Sequence, residues 1–556
     1  MLRNRGPRLK GAKKALLPCL FAIAAGLTAC GGNKKNNFAY DLDFNVDVKG
    51  QKISLWNPFG SDISEILEDL CGEFTRLTGV NVEVEDKTGY DTLRDAVTKS
   101  ATSGKYCNVV FGYPDHFAAY VKSDIIVRLD YYFENDVHNS TFEPDGVDFK
   151  KSDFYGDYMV ENETIEYDEN GKGYTLGVPF NKSTEVLIYN QTFFDWCAAN
   201  VDTVKAATNN VEIKIPETYA ELETVGQAIL DFIDAKGIYN NCLFSDGSVG
   251  AANTADDTKS PVLDLSGIYK AGGSTGTSKE WFKPFSYDSQ SNLFITTVRQ
   301  MGGKYTEFDK ETKKGYVAFD NQQARDGMSS LLDLYNKNIF GIPADWGEAK
   351  YGSNPFKAWK TVMTVGSSAG VANSAPAGNK FKIAAAPVLY RSADKKFVIS
   401  QGTNLALLDR GSREERVASW QLIKFLSKYA NGYFCSQTGY YPSCEYAELA
   451  ETAGKGMWKG YDDDKYFDYA TWRSEASTAI STSDRIKAQT ADVNINYYIN
   501  KGLSDKWVKF VDPAFAGSSD IRDAVAAIPQ FIFTKQYGVD DAIKNVSETL
   551  RDYWRN

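Results

Sequence analysis

Ile53-Ser54-Leu55-Trp56 is the first of three strand-like segments that, with the helices between them, predict the fold class of this 556-residue chain. Residues 62–77 place apolar side chains at helical spacing, so a helix follows the first strand. Residues 80–85 alternate like a strand, residues 92–103 have a helical pattern, and residues 107–112 (CNVVFG) are typical of a buried strand. This alternating order predicts an α/β fold with a parallel sheet.

Candidate ligand contacts follow directly after these predicted strands. Trp56 and Asn57 end the first strand, and Pro114-Asp115 follows the third. In open α/β sheets, ligands bind beyond the carboxyl ends of the strands. The sequence therefore places a binding site near Trp56, Asn57 and Asp115.

Composition excludes several classes of function. Hydrophobic residues make up 43% and charged residues 24% of the chain, which rules out a wholly disordered chain and a multi-span membrane protein. The net charge of −11 disfavours general nucleic-acid binding, which needs a basic surface. The only histidines are His116 and His138, so a three-histidine metal site is impossible. We expect neither a metal nor a cofactor.

The first thirty residues predict export. Residues 1–14 carry six cations and no acid, and residues 15–27 form an apolar run that is shorter than the about 20 residues of a bilayer span. The following Leu27-Thr28-Ala29-Cys30 resembles the bacterial lipobox, whose cysteine is diacylated and becomes the new amino terminus. We therefore predict a signal peptide over residues 1–29 and lipidation at Cys30. The alternative is an uncleaved anchor helix.

The lipid is expected to be the only membrane attachment. Residues 30–47 begin with the small and polar GGNKKNN after Cys30 and are predicted to form a flexible tether. No later segment is apolar for 18 residues. The expected location is the extracytoplasmic face of the cell membrane, and the protein is expected to be a monomer.

Six further cysteines fit an exported protein, in which an even number suggests disulfides. Cys435 and Cys444 are close in sequence and form one candidate pair. The other candidate pairs are Cys71–Cys107 and Cys197–Cys242. The alternative for each pair is buried free thiols.

Several segments in order resemble one family. The segment Gly177-Val-Pro-Phe-Asn-Lys-Ser-Thr-Glu-Val-Leu-Ile-Tyr-Asn190 resembles the signature of family 1 extracellular solute-binding proteins, the sugar-binding lipoproteins of bacterial ABC importers. Further matching segments follow in the family's order: 287–294 (YDSQSNLF), 363–370 (MTVGSSAG), 386–387 (AP), 401–405 (QGTNL), 420–426 (WQLIKFL), 438–442 (TGYYP) and 512–518 (DPAFAGS). The resemblance covers nearly the whole chain after the signal segment.

The resemblance implies a two-lobed, maltose-binding-protein-like α/β fold of type II with crossover hinge strands. Lobe 1 would comprise residues 48–187 and 404–440, and lobe 2 residues 188–403 and 441–556. The crossings would lie near residues 186–189, 401–405 and 440–443. Such lobes close on a ligand that contacts both of them.

Sugar recognition suggests which residues bind the ligand. Aromatic rings cover the apolar faces of a pyranose, and polar side chains pair with its hydroxyls. Trp56 and Tyr441 are predicted to stack, and Asp115, Glu185 and Asn404 to bind hydroxyls. The full candidate set is Trp56, Asn57, Asp115, Thr184, Glu185, Trp281, Ser367, Asn404, Tyr440, Tyr441 and Phe515. Core packing is the alternative for each aromatic, and a hinge hydrogen bond for Glu185. We expect His116 at the surface.

These observations favour a tethered receptor that captures a carbohydrate and delivers it to the permease subunits of an ABC transporter, and they favour an oligosaccharide as the ligand. The chain length fits an oligopeptide-binding receptor better than a compact sugar binder, so that alternative stays open. Insertions at 131–172 and 240–279 also account for the length and are candidates for reshaping the cleft. A glycoside hydrolase would need two carboxylates across a cleft, but no acid lies in a recognisable catalytic motif.

Overall fold

The computed structural model describes residues 40–143, 147–252, 259–267, 278–312, 314–348, 351–444, 467–499 and 507–551. The predicted signal peptide and Cys30 lie outside the described residues. Residues 40–47, which the sequence assigned to the tether, lie against the protein, where Leu42 and Phe44 are buried. The tether prediction therefore extends too far for these residues, because their apolar side chains join a core.

Eighteen strands occur in the described residues. They are β1 (Lys52–Asn57), β2 (Asn81–Asp86), β3 (Val109–Gly112), β4 (Val178–Ser183), β5 (Glu185–Asn190), β6 (Cys242–Phe244), β7 (Val249–Gly250), β8 (Pro261–Asp264), β9 (Phe285–Tyr287), β10 (Thr306–Asp309), β11 (Lys314–Val317), β12 (Phe340–Gly341), β13 (Met363–Ser367), β14 (Ile383–Pro387), β15 (Phe397–Ile399), β16 (Gln401–Leu407), β17 (Tyr441–Pro442) and β18 (Val508–Phe510).

The helices surround these strands. They are α1 (Ser61–Thr78), α2 (Tyr90–Ser100), α3 (Pro114–Lys122), α4 (Asp130–Asn135), α5 (Gly156–Val160), α6 (Gln191–Ala199), α7 (Val201–Ala207), α8 (Tyr219–Lys236), α9 (Ser278–Trp281), α10 (Gln290–Gln300), α11 (Gln322–Asn336), α12 (Ser353–Lys357), α13 (Arg413–Lys424), α14 (Asn431–Thr438), α15 (Tyr469–Ser477), α16 (Thr482–Val493), α17 (Ser518–Val525), α18 (Ala527–Phe533) and α19 (Val539–Arg551).

The first sheet has six strands in the order β17-β4-β16-β3-β1-β2. β1 is parallel to both β2 and β3, as the sequence predicted. β16 lies between β3 and β4 and is antiparallel to both, and β17 is the edge strand on that side. The β3 segment Val-Val-Phe-Gly is buried at every position, which is the expected pattern for a strand covered by helices on both faces.

The second sheet has five strands in the order β12-β9-β13-β5-β14. β12, β9 and β13 run parallel to one another, whereas β5 is antiparallel to its neighbours β13 and β14. Each sheet has its own hydrophobic core, with Leu55 and Phe111 in the first and Leu187 and Val365 in the second. The predicted two-lobed α/β fold is confirmed; we call the lobe with the six-stranded sheet lobe 1 and the other lobe 2.

The chain changes lobes at Thr184, the single residue between β4 and β5. It returns through residues 388–400 into β16, where Gly402 has a φ of 96° and a Cβ atom would lie 1.8 Å from the carbonyl oxygen of Asn181. Only glycine fits this close approach. The observed change of lobe at Thr184 lies two residues before the start of the predicted crossing at 186–189. β17 stays with lobe 1. The residue-level lobe boundaries remain a prediction.

The insertion at 131–172 is held against lobe 1 by buried charges on α13 and the turn after it. The ammonium of Lys424 donates to Asp136 and to Glu143, and Lys428 pairs with Asp153 at 2.7 Å. Because buried cations need paired acids, this segment is tied into the lobe and away from the interlobe space.

The disulfide prediction is wrong for the structure. Cys71, Cys107, Cys197, Cys242 and Cys435 are buried free thiols, so none of the three predicted pairs is formed. Each side chain lies in a core, and burial raises the pKa of Cys242 to about 12. The thiol of Cys435 donates to Asn431 Oδ1 at 3.8 Å.

No helix in the described part of the chain combines the length and the apolar character that crossing a membrane requires.

Candidate functional site

A cavity of about 1090 Å³ lies between the two lobes. Lobe 1 contributes residues from the β3–α3 turn and from the start of α2. Lobe 2 contributes the β9–α10 turn, the end of β13 and the chain from residue 511 into α17. Most of these segments follow the carboxyl ends of parallel strands, which is where ligands bind in open α/β sheets.

The lobe 1 wall is aromatic. Tyr90, Tyr113 and Tyr440 line the cavity, and each is only partly buried. The Tyr90 and Tyr113 rings are 4.9 Å apart between centroids, and Phe59 supports both Tyr90 and Tyr440 from behind at 6.3 Å. The wall therefore offers flat apolar ring surface with hydroxyls at its edge, which suits a pyranose face.

His116 completes this wall and was not expected there. The side chain is 3% exposed, lines the cavity and lies 5.7 Å from the Tyr113 ring between centroids. The expectation of a surface histidine is wrong, because the first turn of α3 directs residue 116 inward. Burial lowers the pKa of His116 below its usual value, which favours the neutral imidazole.

The lobe 2 wall is polar. Asp288 to Asn292, at the turn between β9 and α10, contribute five consecutive lining residues. The side chain of Ser289 caps α10 by accepting from the Asn292 amide, so the helix itself positions this turn. Arg522 of α17 donates from Nη2 to Asn292 Oδ1 and lies on the same wall.

Glu185 connects this wall to the hinge. Its carboxylate accepts from the Tyr287 hydroxyl at 2.5 Å and from Asn292 Nδ2 at 2.9 Å. The side chain is 1% exposed, and burial raises the pKa of Glu185 to about 7 against the opposing effect of these hydrogen bonds. The carboxylate thus positions Asn292 and Arg522 one residue after the lobe crossing.

The cavity collects buried polar atoms that have no hydrogen-bond partner among the described residues. The atoms that share this property are His116 Nδ1, Gln290 Nε2 and Oε1, Tyr305 Oη, Thr306 Oγ1, Ser400 Oγ, Gln401 Oε1 and Asp512 Oδ1. Buried polar groups in proteins are nearly always paired. A cavity with this set of donors and acceptors is suited to a ligand rich in hydroxyls, which can both donate and accept.

Four of the eleven predicted ligand contacts line this cavity. They are Asp115, Glu185, Ser367 and Tyr440. Asp115 accepts from the His116 amide at 2.9 Å and keeps part of its carboxylate accessible. The other seven lie outside the lining and have contacts within a lobe or at the hinge.

Trp56 and Asn57 support the end of β1. Trp56 Nε1 donates to Glu85 at 2.7 Å, and the Lys87 ammonium lies 3.9 Å from the ring centroid. Asn57 is fully buried and accepts from the Ser64 hydroxyl at 2.9 Å. Both side chains thus pair with neighbouring strands and turns of lobe 1.

Asn404 and Thr184 hold buried polar contacts. Asn404 Oδ1 accepts from Lys182 Nζ at 2.8 Å, and Lys182 also pairs with Glu161. Thr184 Oγ1 donates to Asn494 Oδ1 at 3.0 Å at the lobe crossing. These residues stabilise the hinge region.

The remaining three aromatics pack in the lobes. The carbonyl of Trp281 accepts from Trp346 Nε1 at 2.6 Å, and Tyr441 packs edge-on against Tyr469. Phe515 is 4% exposed in the lobe 2 core and stacks on Phe308. Core packing, the alternative that the sequence left open, describes these rings.

Sequence reasoning missed most of the lining, although a signal was present. Six of the eight segments that resemble the family supply lining residues, among them Asp288–Asn292 from 287–294, Ser367 from 363–370 and Asp512 from 512–518. The insertions at 131–172 and 240–279 contribute none in their described parts. In the described residues, no three His, Cys, Asp or Glu side chains come together as a metal site.

Comparisons with known proteins agree with this architecture. The family model for bacterial extracellular solute-binding proteins matches residues 69–461, and the chain belongs to this family. No curated protein matches the chain.

Solved structures share the fold at low sequence identity. The GacH receptor of Streptomyces glaucescens, solved unliganded and with acarbose, matches with a TM-score of 0.56 and 15% identity over 91% of this chain and 99% of that chain. UgpB from Mycobacterium tuberculosis in complex with glycerophosphocholine matches with a TM-score of 0.58 and 16% identity over 90% of this chain and 98% of that chain. MalE from Bdellovibrio bacteriovorus, a maltose/maltodextrin-binding domain bound to maltotriose, matches with a TM-score of 0.53 and 14% identity over 91% of this chain and 100% of that chain. The protein is therefore an extracytoplasmic solute-binding protein with a maltose-binding-protein-like fold.

Proposed function

We propose that the protein is a lipid-anchored receptor that captures a carbohydrate between its lobes and delivers it to the permease of an ABC importer. The observation that carries the proposal is the cavity itself. One wall presents tyrosine rings, and the lining contains buried polar atoms without partners. Rings for pyranose faces and polar groups for hydroxyls are what an oligosaccharide requires.

Closure of the lobes supplies the signal to the transporter. The cavity walls belong to different lobes joined at Thr184 and residues 388–400, so a ligand that contacts both walls favours the closed state. A ligand that bound one lobe equally in both states would shift nothing. The work is capture and closure, with no bond made or broken.

Two of the similar structures support a sugar as the ligand, since they contain acarbose and maltotriose. The basic and apolar start of the chain and Cys30 support export and lipid anchoring. Replacing Cys30 by alanine tests the anchor: the variant is expected in the soluble fraction, and retention in the membrane fraction would contradict it.

Calorimetric titration with a panel of linear and cyclic oligosaccharides tests the binding claim, with small-angle X-ray scattering as the measure of closure. We expect at least one sugar to bind with a decrease in radius of gyration. Tight binding of oligopeptides with no sugar bound would overturn the proposal in favour of a peptide receptor. Hydrolysis products from a bound glycan would overturn the receptor role in favour of a glycoside hydrolase.

A further inference from the structure

The cavity lining is strongly acidic. Its carboxylates are Asp91, Asp115, Glu185, Asp288, Asp512 and Asp523, against the cations Lys357 and Arg522. A cavity with this balance repels anions and attracts cations, and the effect is strongest where water is excluded.

Three of the six acids already have partners that satisfy them. Asp91 is 3.3 Å from Arg94, Glu185 accepts from Tyr287 and Asn292, and Asp288 accepts from the Gly352 amide. These groups have a structural explanation that needs no ligand.

Asp115, Asp512 and Asp523 have no lysine or arginine partner among the described residues, although Asp115 accepts from the His116 amide. Among the described residues, no lysine or arginine nitrogen is within ion-pair distance of these three carboxylates, and the nearest imidazole nitrogen to Asp115 is 3.9 Å away, on the neutral His116. Asp512 Oδ1 is inaccessible and has no hydrogen-bond partner in the described chain. Burial raises the pKa of Asp512 to about 6, against the effect of Arg299 and Arg522.

A buried hydroxyl lines the same cavity as these acids. Tyr305 is 3% exposed, lines the cavity, and its hydroxyl has no partner among the described residues. Burial raises the pKa of this hydroxyl, and the negative charges of Asp512, Asp115 and Asp523 add to the effect, whereas Arg522 opposes it. The unpartnered Nδ1 of His116 lines the same cavity.

The acids come from both lobes. Asp115 stands in the first turn of α3 in lobe 1, whereas Asp512 and Asp523 belong to lobe 2. A cation between them interacts with both lobes only when the cavity is closed, and it offsets the repulsion that closure creates between the carboxylates. A neutral sugar leaves that repulsion in place.

We propose that the preferred ligand is a carbohydrate with a protonated amine, which binds between Asp115 and Asp512 beside the Tyr305 hydroxyl. The inference rests on the proposed carbohydrate-receptor function and adds the charge of the ligand. Anionic glycans, such as oligouronates, are excluded by the same wall.

Matched sugar pairs test this inference. Acarbose and maltotetraose have four rings each, and acarbose carries a secondary amine. Deacetylated chitotetraose carries protonated primary amines at the positions where its N-acetylated form carries neutral acetamides. Calorimetry at pH 7 with the purified protein is expected to give at least tenfold tighter binding of one amine compound than of its neutral partner. Its affinity is expected to fall as salt is raised from 20 to 500 mM, because the charges are screened.

Variants locate the charge. Asp512→Asn and Asp115→Asn are expected to reduce the amine preference, measured as the ratio of the two affinities within each pair, to below threefold. Asp62→Asn, an exposed change on α1, serves as the control. Thermal unfolding checks that each variant folds. If a variant does not fold, the amine inference is tested by the salt dependence of amine binding to the wild-type protein.

Failure of the inference and failure of the proposed function give different results. Equal binding of both members of each pair, or no salt dependence, overturns the amine inference and leaves the carbohydrate receptor intact. Preferential binding of an oligouronate also overturns it. No binding of any sugar, together with binding of peptides, overturns the proposed function itself.

Discussion

The two walls of the cavity are built in different ways. The lobe 1 wall consists of partly buried tyrosines, Tyr90, Tyr113 and Tyr440, packed on Phe59. The lobe 2 wall consists of a helix-capping turn and a hydrogen-bonded chain through Glu185, Asn292 and Arg522. Ring surface is non-directional and tolerates several sugars, whereas directional hydrogen bonds discriminate among them. We infer that lobe 1 supplies affinity and lobe 2 supplies specificity.

The largest expected effect concerns the buried carboxyl of the lobe 2 wall. The folded pKa of Glu185 is about 7, above the reference value of 4.5, so folding favours its protonated form. Its contribution to stability is complete below pH 4.5 and is lost as the pH rises through 7. The ionisation of Glu185 should therefore lower the unfolding free energy of the wild-type protein by about 2.5 kcal/mol between pH 5 and pH 8. Glu185→Gln should not show this decrease.

Urea unfolding of both proteins at several pH values measures this difference. Glu65→Gln, an exposed change on α1, is the matched control and should follow the wild-type curve. Parallel curves for the wild type and Glu185→Gln would show that burial does not raise the pKa of Glu185 and would contradict this prediction.

The next effect concerns the aromatic wall. Tyr113→Ala is expected to weaken sugar binding by about 1.5 kcal/mol, a little over tenfold, because stacking surface is lost. Tyr113→Phe keeps the ring and should retain most of the affinity. Trp56→Phe is the control, because Trp56 packs under Lys87 outside the lining, and its affinity should change less than twofold. A larger loss in Trp56→Phe than in Tyr113→Ala would reverse the assignment of the lobe 1 wall.

The smallest effect concerns the contact between the walls. Arg94 of α2 donates to Ser519 Oγ at 2.6 Å and lies 3.5 Å from Asp520 of α17, so it joins lobe 1 to lobe 2. Arg94→Ala should weaken binding by about 0.5–1 kcal/mol, the range for partly exposed ion pairs, and increase the radius of gyration of the ligand-free protein. Lys99→Ala, whose 3.2 Å ion pair is with Asp95 of its own helix, should change neither quantity. Scattering curves that coincide for Arg94→Ala and the wild type would show that this contact does not hold the lobes.

Local patterns predicted the elements of lobe 1 well. The helical spacing of residues 62–77 corresponds to α1, and the apolar run at 107–112 contains β3. Both follow from side-chain periodicity, which depends only on neighbours in sequence. The resemblance to the solute-binding family correctly indicated the two-lobed fold, and the residue-level crossings remain a prediction.

The side chains of the site were harder to predict. Trp56 and Asp115 both follow strands, yet only Asp115 lines the cavity. The direction of a side chain at a strand end depends on its partner across the sheet, and for Trp56 that partner is Glu85 of β2. Tyr305 and Arg522 were not candidates, because nothing in their local sequence marks them.

Periodicity and ordered motifs lie along one dimension, so they were enough to assign the class of fold and the family from the amino-acid order. Which carboxylates of the lining have an ion-pair partner depends on the packing of segments that are distant in sequence. Asp115 and Asp512 are 397 positions apart in the sequence, and the tertiary packing, including that of α17 against α3, places both in the lining of one cavity. Charge compensation depends on distance in space, and a linear chain does not contain that distance.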